Sequence, residues 1–191
     1  MYLNPKHDHS HHKQVFQKIV AAFHEKGKQI HCQAGDTILK SGEPADYLFY
    51  VQSGIIRAYR WINDREVNIG FTFSGDIDSC PVSLLQDVPS TDTLEAITAA
   101  QVLRLPKKEF MAVLAEESDQ SHLIAHLLTT YLDILLHRYI ELKAFTAEEL
   151  YLKLIERQAA EVPHIPLKHI ASYLGISQER LSRIRKKLDL T

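Results

Sequence analysis

The sequence predicts an α+β protein with antiparallel strands in its first half and helices in its second. Two observations support this class. Seven short strand-like runs separated by turn residues lie between about Lys28 and Pro106, and helical periodicity follows from Lys107 nearly to the end of the chain. Runs of strands followed by runs of helices, without alternation, are typical of α+β proteins. The 191 residues can hold one large domain or two small ones.

The strand-like runs are rich in β-branched and aromatic residues, and the breaks between them contain Gly, Pro, Asn or Asp, which supply turn conformations. The runs are "KQIHC", "DTILK", "YLFYVQS", "IIRAYRW", "EVNIGFTF", "TLEAIT" and "VLRLP". Seven short strands at this spacing predict an antiparallel sandwich or barrel. The segment "KKEFMAVLAEE", which begins at Lys107, predicts a helix that leaves this body.

A long helix without Gly or Pro is predicted from about Ser118 to Ala144. One row of its apolar residues has the alternating spacing of four and three that is typical of a coiled-coil seam: Leu128, Leu132, Leu135, Tyr139 and Leu142. A second apolar row consists of Ile124, Leu127, Tyr131 and Ile134. We expect the second row to pack on the strands and the heptad row to form a homodimer interface. The alternative is an ordinary core helix.

The last part of the chain has the pattern of a helix-turn-helix. A helix is predicted from Leu167 to Leu174, and Gly175 can take the left-handed conformation that ends it. Ser177 is a good N-cap for the helix that follows. Ala171 is small enough to let the two helices cross closely. An earlier helix begins after Thr146, whose pairing with Glu149 fits a capping box. We expect this small unit to pack on its neighbours for stability.

The final helix carries a basic cluster on an acidic chain. From Ile176 to Thr191 five basic residues against two acidic ones give +3, and the whole chain has −2, which leaves −5 for the rest. Leu181, Ile184 and Leu188 form its buried stripe, and the opposite face carries Glu179, Arg183 and Lys186, flanked by Ser182 and Lys187. Arg, Glu and Gln side chains can read base edges. This favours a DNA-reading helix over a solvated amphipathic one.

These features together resemble the Crp–Fnr family of bacterial transcription regulators, over about residues 29–188. The segment "AGDTILKSGEPADYLFYVQSGIIRAYR" resembles the start of that family's cyclic-nucleotide-binding β-roll, "GFTFSGD" its entry to the phosphate-binding segment, and "IASYLGISQERLSRIRKKL" its DNA-reading end. The resemblance implies a jelly-roll-like β-roll sensor domain with flanking helices at 1–117, a dimerisation helix at 118–144 and a helix-turn-helix domain at 145–191.

The resemblance implies a homodimeric, sequence-specific DNA-binding transcription regulator of the bacterial cytoplasm. By position, Gln178, Glu179 and Arg183 match the family's base-contacting residues, while Ser177 and Arg180 match its backbone contacts. Residue chemistry adds Lys186 and Lys187, with Arg185, as phosphate contacts. The expected partners are double-stranded DNA with a palindromic operator and a second copy of the chain. RNA polymerase is a further candidate, and a small-molecule effector is either unknown or absent.

The effector pocket departs from the family's cyclic-AMP binders. Their Gly-Glu and Arg-Ser pairs are replaced here by Ser79 and Cys80 and by Ser90 and Thr91. Three of these residues offer hydroxyls and none offers a cation, so a buried cyclic phosphate would lack a charge partner. The pocket is therefore expected to be degenerate and not to bind cyclic AMP. Should a nucleotide bind nevertheless, the candidate cations are Arg57 and Arg65.

Other chemistries find little support. No Ser-His-Asp arrangement, phosphate-binding Gly loop or paired-acid site occurs, so a non-enzymatic protein without catalytic residues, cofactor or metal site is expected. The two cysteines, Cys32 and Cys80, are too few for an iron–sulfur cluster, and Cys80 is interpreted as a buried structural thiol. Four N-terminal histidines are interpreted as part of a flexible, solvated segment, with a transition-metal site as the alternative: His7, His9, His11 and His12.

The cysteine usage and the lack of a signal peptide or apolar span predict a reduced, cytosolic protein with no membrane partner. The alternative function is a ligand- or metal-binding β-barrel module whose C-terminal helices only support its fold. Binding to duplex DNA distinguishes this alternative from a regulator.

Overall fold

Two four-stranded antiparallel sheets form the N-terminal body. The structure is a computed structural model, which describes residues 10–115 and 120–189. The strands are β1 (Lys28–Cys32), β2 (Thr37–Leu39), β3 (Tyr47–Ser53), β4 (Ile56–Ile62), β5 (Arg65–Thr72), β6 (Ile77–Asp78), β7 (Thr93–Ala96) and β8 (Ala100–Pro106). One sheet has the order β1-β8-β3-β6 and the other β2-β7-β4-β5. The sequential neighbours β7 and β8 lie in different sheets, as in a jelly roll.

The seven predicted strands are all present, and a short eighth strand was not predicted. The strand β6 pairs with β3 through only two residues, Ile77 and Asp78, which is too short for an apolar–polar alternation to be seen in the sequence. The β4–β5 hairpin turns through Asn63 and Asp64, both with positive φ, as a two-residue type I′ turn requires. Gly54 also has a positive φ, and a Cβ there would lie 2.5 Å from the carbonyl oxygen of Ala99.

Seven α-helices surround and follow the sheets in the described chain. They are α1 (Ser10–Lys26), α2 (Pro81–Gln86), α3 (Lys107–Ala115), α4 (Gln120–Ala144), α5 (Ala147–Arg157), α6 (Leu167–Leu174) and α7 (Gln178–Lys187), with a short 3-10 helix at Val162–His164. None of the described helices is long and apolar enough to cross a membrane.

Helix α1 contains two of the N-terminal histidines, His11 and His12. His7 and His9 lie outside the described residues. The helix is amphipathic because Ile19, Ala22 and Phe23, spaced by three and one, are buried in the core of the β-roll. The polar histidines at its start gave no sign of this buried face.

The long helix α4 has two apolar faces, as the two rows predicted. Ile124 and Leu127 pack against the core of the β-roll, with Tyr131 and Ile134 partly buried farther along. The heptad row points away from this core, and its five members are between 44% and 62% exposed: Leu128, Leu132, Leu135, Tyr139 and Leu142. Leu136 and Ile140 widen the same surface. A contiguous apolar surface of this kind marks an interaction site.

The C-terminal helices share a core with the second sheet. Ile55, Phe71 and Phe73 of the β-roll belong to the same buried cluster as helix residues such as Leu150 and Ile170. The expectation that the small C-terminal unit packs on its neighbours is therefore confirmed. The capping box of α5 is also confirmed: Thr146 Oγ1 accepts a hydrogen bond from the Glu149 amide, and the Glu149 carboxylate accepts one from the Thr146 amide.

Candidate nucleic-acid interface

Helices α6 and α7 form a helix-turn-helix with the predicted boundaries. Gly175 ends α6 in the left-handed conformation, with φ of 69°. Ser177 caps α7, since its hydroxyl accepts a hydrogen bond from the amide of Arg180 over 3.2 Å. Ala171 is buried at 2% exposure, and Leu181 of α7 is completely buried. The buried stripe of α7 thus rests on α6 and leaves the other face of α7 to solvent.

The outward face of α7 presents the residue types that read DNA. The side chains that match the family's base-contacting and backbone-contacting positions, together with Lys186, are exposed in the single chain: Ser177, Gln178, Glu179, Arg180, Arg183 and Lys186. The pKa of Glu179 lies below its ordinary value, because its carboxylate accepts a hydrogen bond from its own backbone amide and another from Ser177. An ionised Glu179 can accept a hydrogen bond from a cytosine amino group.

Two of the predicted phosphate contacts have partners within the chain. Lys187 Nζ lies 2.8 Å from Glu148 Oε2 of α5, so this ammonium group ties α7 to α5. Arg185 is half-buried, and its charge lies close enough to Tyr151 to influence that phenol. Lys186 is exposed and is the better candidate for a phosphate contact. The sequence placed Lys187 on the outward flank correctly but could not indicate Glu148, which lies 39 residues away.

A buried charge cluster holds α6 against the second sheet. Arg57 of β4 is 3% exposed. Its Nε donates to Glu95 Oε1 at 2.9 Å, and its two terminal nitrogens donate to the carboxylate of Glu66. Arg57 Nη1 also lies 3.0 Å from Nδ1 of the buried His169 in α6. Because a guanidinium can only donate, His169 Nδ1 is the acceptor and its proton sits on Nε2. Sequence reasoning missed this cluster and named Arg57 only as a candidate cation should a nucleotide bind.

Hydrogen bonds and aromatic contacts surround this cluster. The backbone amide of Asn68 donates to Ser172 Oγ at 2.9 Å, and Ser172 Oγ donates to the backbone carbonyl of Glu66 at 3.3 Å. The rings of Phe71 and Tyr173 lie 5.2 Å apart. Arg138 of α4 stacks on Tyr173 at 3.9 Å and donates to its carbonyl oxygen at 2.8 Å. Helix α6 therefore contacts both β5 and the long helix α4.

The four predicted pocket residues precede and follow α2 in the chain, and the hydroxyls of three of them are bonded within the protein. Ser79 Oγ donates to the carbonyl of Tyr47 at 3.0 Å, and Ser90 Oγ donates to that of Asp92 at 2.8 Å. Cys80 is a buried free thiol. Thr91 Oγ1 accepts from Arg60 Nη2 at 2.7 Å. The three hydroxyls of these residues are thus engaged in internal hydrogen bonds.

Arg60 is a cation near the pocket that sequence reasoning missed. Arg60 lies on β4, four residues after Ile56 and two after Ala58, and both of these side chains face the core. Since alternate residues of a strand lie on the same face, the sequence could have indicated that Arg60 lies on this face too. Asp92 Oδ1 lies 2.7 Å from Arg60 Nη2 and neutralises this charge. Arg57 and Arg65 do not fill the role: Arg57 is in the cluster with His169, and Arg65 is exposed beside the β4–β5 turn.

Tyr131 of α4 and a small apolar cavity complete this region. The pKa of Tyr131 is raised, first by burial and then by the charges of Asp92 and Asp78. Asp78 is buried and accepts from Thr72 Oγ1 at 2.5 Å. The cavity between α2 and α4 has a volume of about 30 Å³ and apolar lining, including Leu84, Leu127 and Tyr131. In the described part of the chain, no group of three or more potential metal ligands is clustered.

Comparison with known proteins agrees with this architecture. Residues 29–117 match the family model of the cyclic nucleotide-binding domain. FixK2 from Bradyrhizobium japonicum superposes with a TM-score of 0.73 at 20% identity, covering 85% of this chain and 84% of FixK2. The c-di-GMP-responsive global regulator CLP from Xanthomonas campestris superposes with a TM-score of 0.65 at 16% identity, covering 93% and 91% of the two chains. No curated protein matches the sequence.

A third structure carries the family's name. A protein from Eubacterium rectale assigned as a transcriptional regulator of the Crp/Fnr family superposes with a TM-score of 0.66 at 16% identity, covering 89% of this chain and 82% of that one. The chain thus contains a cyclic nucleotide-binding domain, at residues 29–117, and has the fold of the Crp–Fnr regulators. The resemblance and the α+β fold class predicted from the sequence are confirmed.

Burial of His169 predicts a pH-dependent stability. Its pKa is lowered from 6.5 to about 4, mainly by burial, then by Arg57 and Lys168, with Glu66 and Glu95 opposing. Below pH 6.5 the unfolded chain binds a proton that the folded chain excludes. Stability therefore falls as the pH decreases from 6.5 towards 4, and His169 alone accounts for about 2 kcal/mol between pH 7 and pH 5.

Urea unfolding of wild type and His169→Leu across this range measures the effect. The wild-type free energy of unfolding should fall more steeply between pH 7 and pH 5 than that of the variant. His164→Leu is the matched control, because His164 is an exposed histidine five residues earlier. Equal pH slopes for wild type and His169→Leu would show that His169 is not held neutral.

Proposed function

We propose that the protein is a homodimeric, sequence-specific DNA-binding transcription regulator of the bacterial cytoplasm, without enzymatic activity. The observation that carries the proposal is a complete helix-turn-helix whose second helix turns Gln178, Glu179 and Arg183 to solvent. The fold shared with FixK2 and CLP supports it. The basic end of α7 on an otherwise acidic chain confines the anion-binding surface to this helix.

The side chains on α7 divide into two roles. We assign base reading to Gln178, Glu179 and Arg183, near the start and middle of the outward face, and backbone contacts to Ser177, Arg180 and Lys186. The position of Lys187 against Glu148 makes it a structural tie first and a phosphate contact second. RNA polymerase remains a candidate partner in this proposal.

Binding to duplex DNA tests the proposal. Selection from random duplexes, followed by mobility-shift titration at several salt concentrations, should recover a palindromic sequence whose affinity falls as salt rises, because phosphate contacts release counterions. Binding with no sequence preference and no salt dependence would contradict the proposal and favour a ligand- or metal-binding module.

Exchange of single residues on α7 separates the two roles. Arg183→Ala should cost about 1–3 kcal/mol on the selected operator and relax preference at one base pair in each half-site. Lys186→Ala, three residues later on the same face, should weaken selected and random DNA about equally and reduce the salt dependence. Titration of both variants against both DNAs provides the comparison. The division of roles fails if the two variants lose the same affinity on both DNAs.

The exposed heptad row of α4 supports the dimer in this proposal. Five large apolar side chains at heptad spacing are costly to leave in water, and a second copy of the same helix would cover them. The β-roll also exposes large apolar side chains, such as Trp61, Ile62 and Val82, but these do not follow a heptad spacing along one helix. We therefore assign the dimer interface to Leu128, Leu132, Leu135, Tyr139 and Leu142.

Introduction of a charge in this row should separate the copies. Leu135→Asp would bury a carboxylate without a partner between two helices, so sedimentation should show a monomer. Operator affinity should fall steeply, because a single half-site is held weakly. Leu152→Asp is the matched control, since Leu152 is similarly exposed but lies on α5. A dimeric Leu135→Asp protein would place the interface elsewhere.

The β-roll in this proposal has a degenerate effector pocket. Arg60 is neutralised by Asp92, the pocket hydroxyls bond to the chain, and Asp78 adds a buried carboxylate. A cyclic phosphate entering this region would have to break the Arg60–Asp92 ion pair. The negative charge of the phosphate would then lie close to the unpaired carboxylate of Asp92 and repel it. The effector is accordingly a molecule other than cyclic AMP, or absent.

Cyclic AMP should therefore bind weakly or not at all at tens of micromolar, corresponding to a binding free energy weaker than about −6 kcal/mol. Calorimetry with cyclic AMP and cyclic GMP measures this directly, and addition of either nucleotide should leave operator affinity unchanged. The control variant is Asp92→Asn, which removes the carboxylate beside Arg60 and should improve nucleotide binding relative to wild type. A saturable low-micromolar isotherm for the wild type would contradict the assignment.

A further inference from the structure

The cluster around Arg57 joins the second sheet, β2-β7-β4-β5, to the C-terminal helices α5 to α7, which are called the reading head below. None of the DNA contacts assigned above involves this cluster. Its members come from four elements: Arg57 from β4, Glu66 from β5, Glu95 from β7 and His169 from α6. Each N–H of a buried guanidinium needs an acceptor, and separation of α6 from the sheet would remove one. The cluster therefore favours one position of α6 over the sheet.

Neighbouring hydrogen bonds restrict the same helix further. The backbone amide of Asn68 in β5 donates to the Ser172 hydroxyl of α6 at 2.9 Å. The outer strand of the sheet therefore also holds α6. Asn68 Nδ2 also contacts the carbonyl oxygen of His169 at 3.4 Å. These bonds are directional and lie one turn apart on α6, which restricts rotation as well as separation.

Helix α4 is held to the same helices by a second set of side-chain contacts, with α6 and with α5. Arg138 contacts Tyr173 of α6. Only Phe145 and Thr146 separate α4 from α5. The Glu141 carboxylate lies 2.6 Å from Arg157 Nη2 and 3.8 Å from Lys153 Nζ, both on α5. The reading head is therefore tied to the helix that we assign to the dimer axis, as well as to the sheet.

We propose that the contacts of His169 with Arg57 and of Ser172 with Asn68 position the reading head relative to α4, and so set the spacing between the two DNA half-sites that the dimer accepts. This inference rests on the proposed function. In a two-fold dimer, half-site spacing equals the separation of the two recognition helices. That separation is fixed only if each head is fixed relative to the dimer axis. His169 and Ser172 are positioning residues and do not touch DNA in this proposal.

The test varies the spacer between half-sites. The half-site is taken from the operator selected by the wild type, and inverted repeats are made with the spacer shortened or lengthened by one to four base pairs. Wild type should prefer one spacer and lose at least about tenfold in affinity two base pairs away from it. The double variant His169→Leu/Ser172→Ala should retain binding to a single half-site but vary less than about threefold across the spacers.

Rescue and control variants distinguish positioning from general damage. His169→Gln restores an acceptor for Arg57 and should recover the wild-type spacer preference. His164→Leu, on the exposed 3-10 helix, should not change it. If the double variant does not fold, Ser172→Ala alone provides a comparison, because it removes the two hydrogen bonds of Ser172 to β5 and leaves the side chains of the charge cluster unchanged.

The outcomes separate this inference from the proposed function. Wild type that selects no DNA sequence would overturn the proposed function itself. Wild type that selects an operator but tolerates all spacers, or a variant that keeps the wild-type spacer preference, would overturn only the positioning role of His169 and Ser172. A variant with reduced affinity for the single half-site would likewise count against it, because the residues would then act on DNA reading itself.

Discussion

The buried guanidinium of Arg57 is the constraint on which the arrangement of the two halves depends. A charge this deeply buried is stable only while its donors are satisfied, and here the acceptors are supplied by two other strands and by the first helix of the reading head. The strands β4, β5 and β7 must stay in register to bring Glu66 and Glu95 to it. Helix α6 must then present a neutral imidazole, and its burial keeps His169 in that form.

The apolar packing around this cluster explains why the charge can be buried at all. Ile55, Phe71 and Phe73 form one side of a core whose other side comes from α5, α6 and α7. Exclusion of water strengthens the Arg57 ion pairs and at the same time raises the cost of breaking them. The small C-terminal unit gains from the sheet the apolar partner that its own length could not supply. The Arg57 cluster in turn selects one orientation of α6 on the sheet among those that apolar contacts alone would allow.

The parts of the fold that were predictable from the sequence depend on local patterns. Gly175, Ser177 and Ala171 each have a short-range role, so the helix-turn-helix could be predicted with its boundaries. The two rows of α4 follow from helical periodicity, and the turns of the β-roll follow from their Gly, Asn and Asp residues. The assignment of residues on α7 to bases and phosphates, and of the heptad row on α4 to a dimer interface, stays a prediction.

What was missed depends on residues that are distant in sequence. Arg57 and His169 are 112 positions apart, and nothing adjacent to either indicates the other. Lys187 and Glu148 are a similar case. Arg60 was also missed, although strand alternation from Ile56 and Ala58 could have placed it on the pocket side; only its pairing with Asp92 required the structure. Polar pairs of this kind follow from the tertiary fold and carry no periodic signal.

The exposed apolar row of α4 has a consequence for how such a regulator would respond in a cell. If pairing of this helix is what creates the active form, then at low copy number the amount of active protein grows with the square of the chain's concentration. A twofold change in synthesis would then produce up to a fourfold change in operator occupancy. If the β-roll also takes no ligand, gene dosage and protein turnover would be the variables to which such a system is most sensitive.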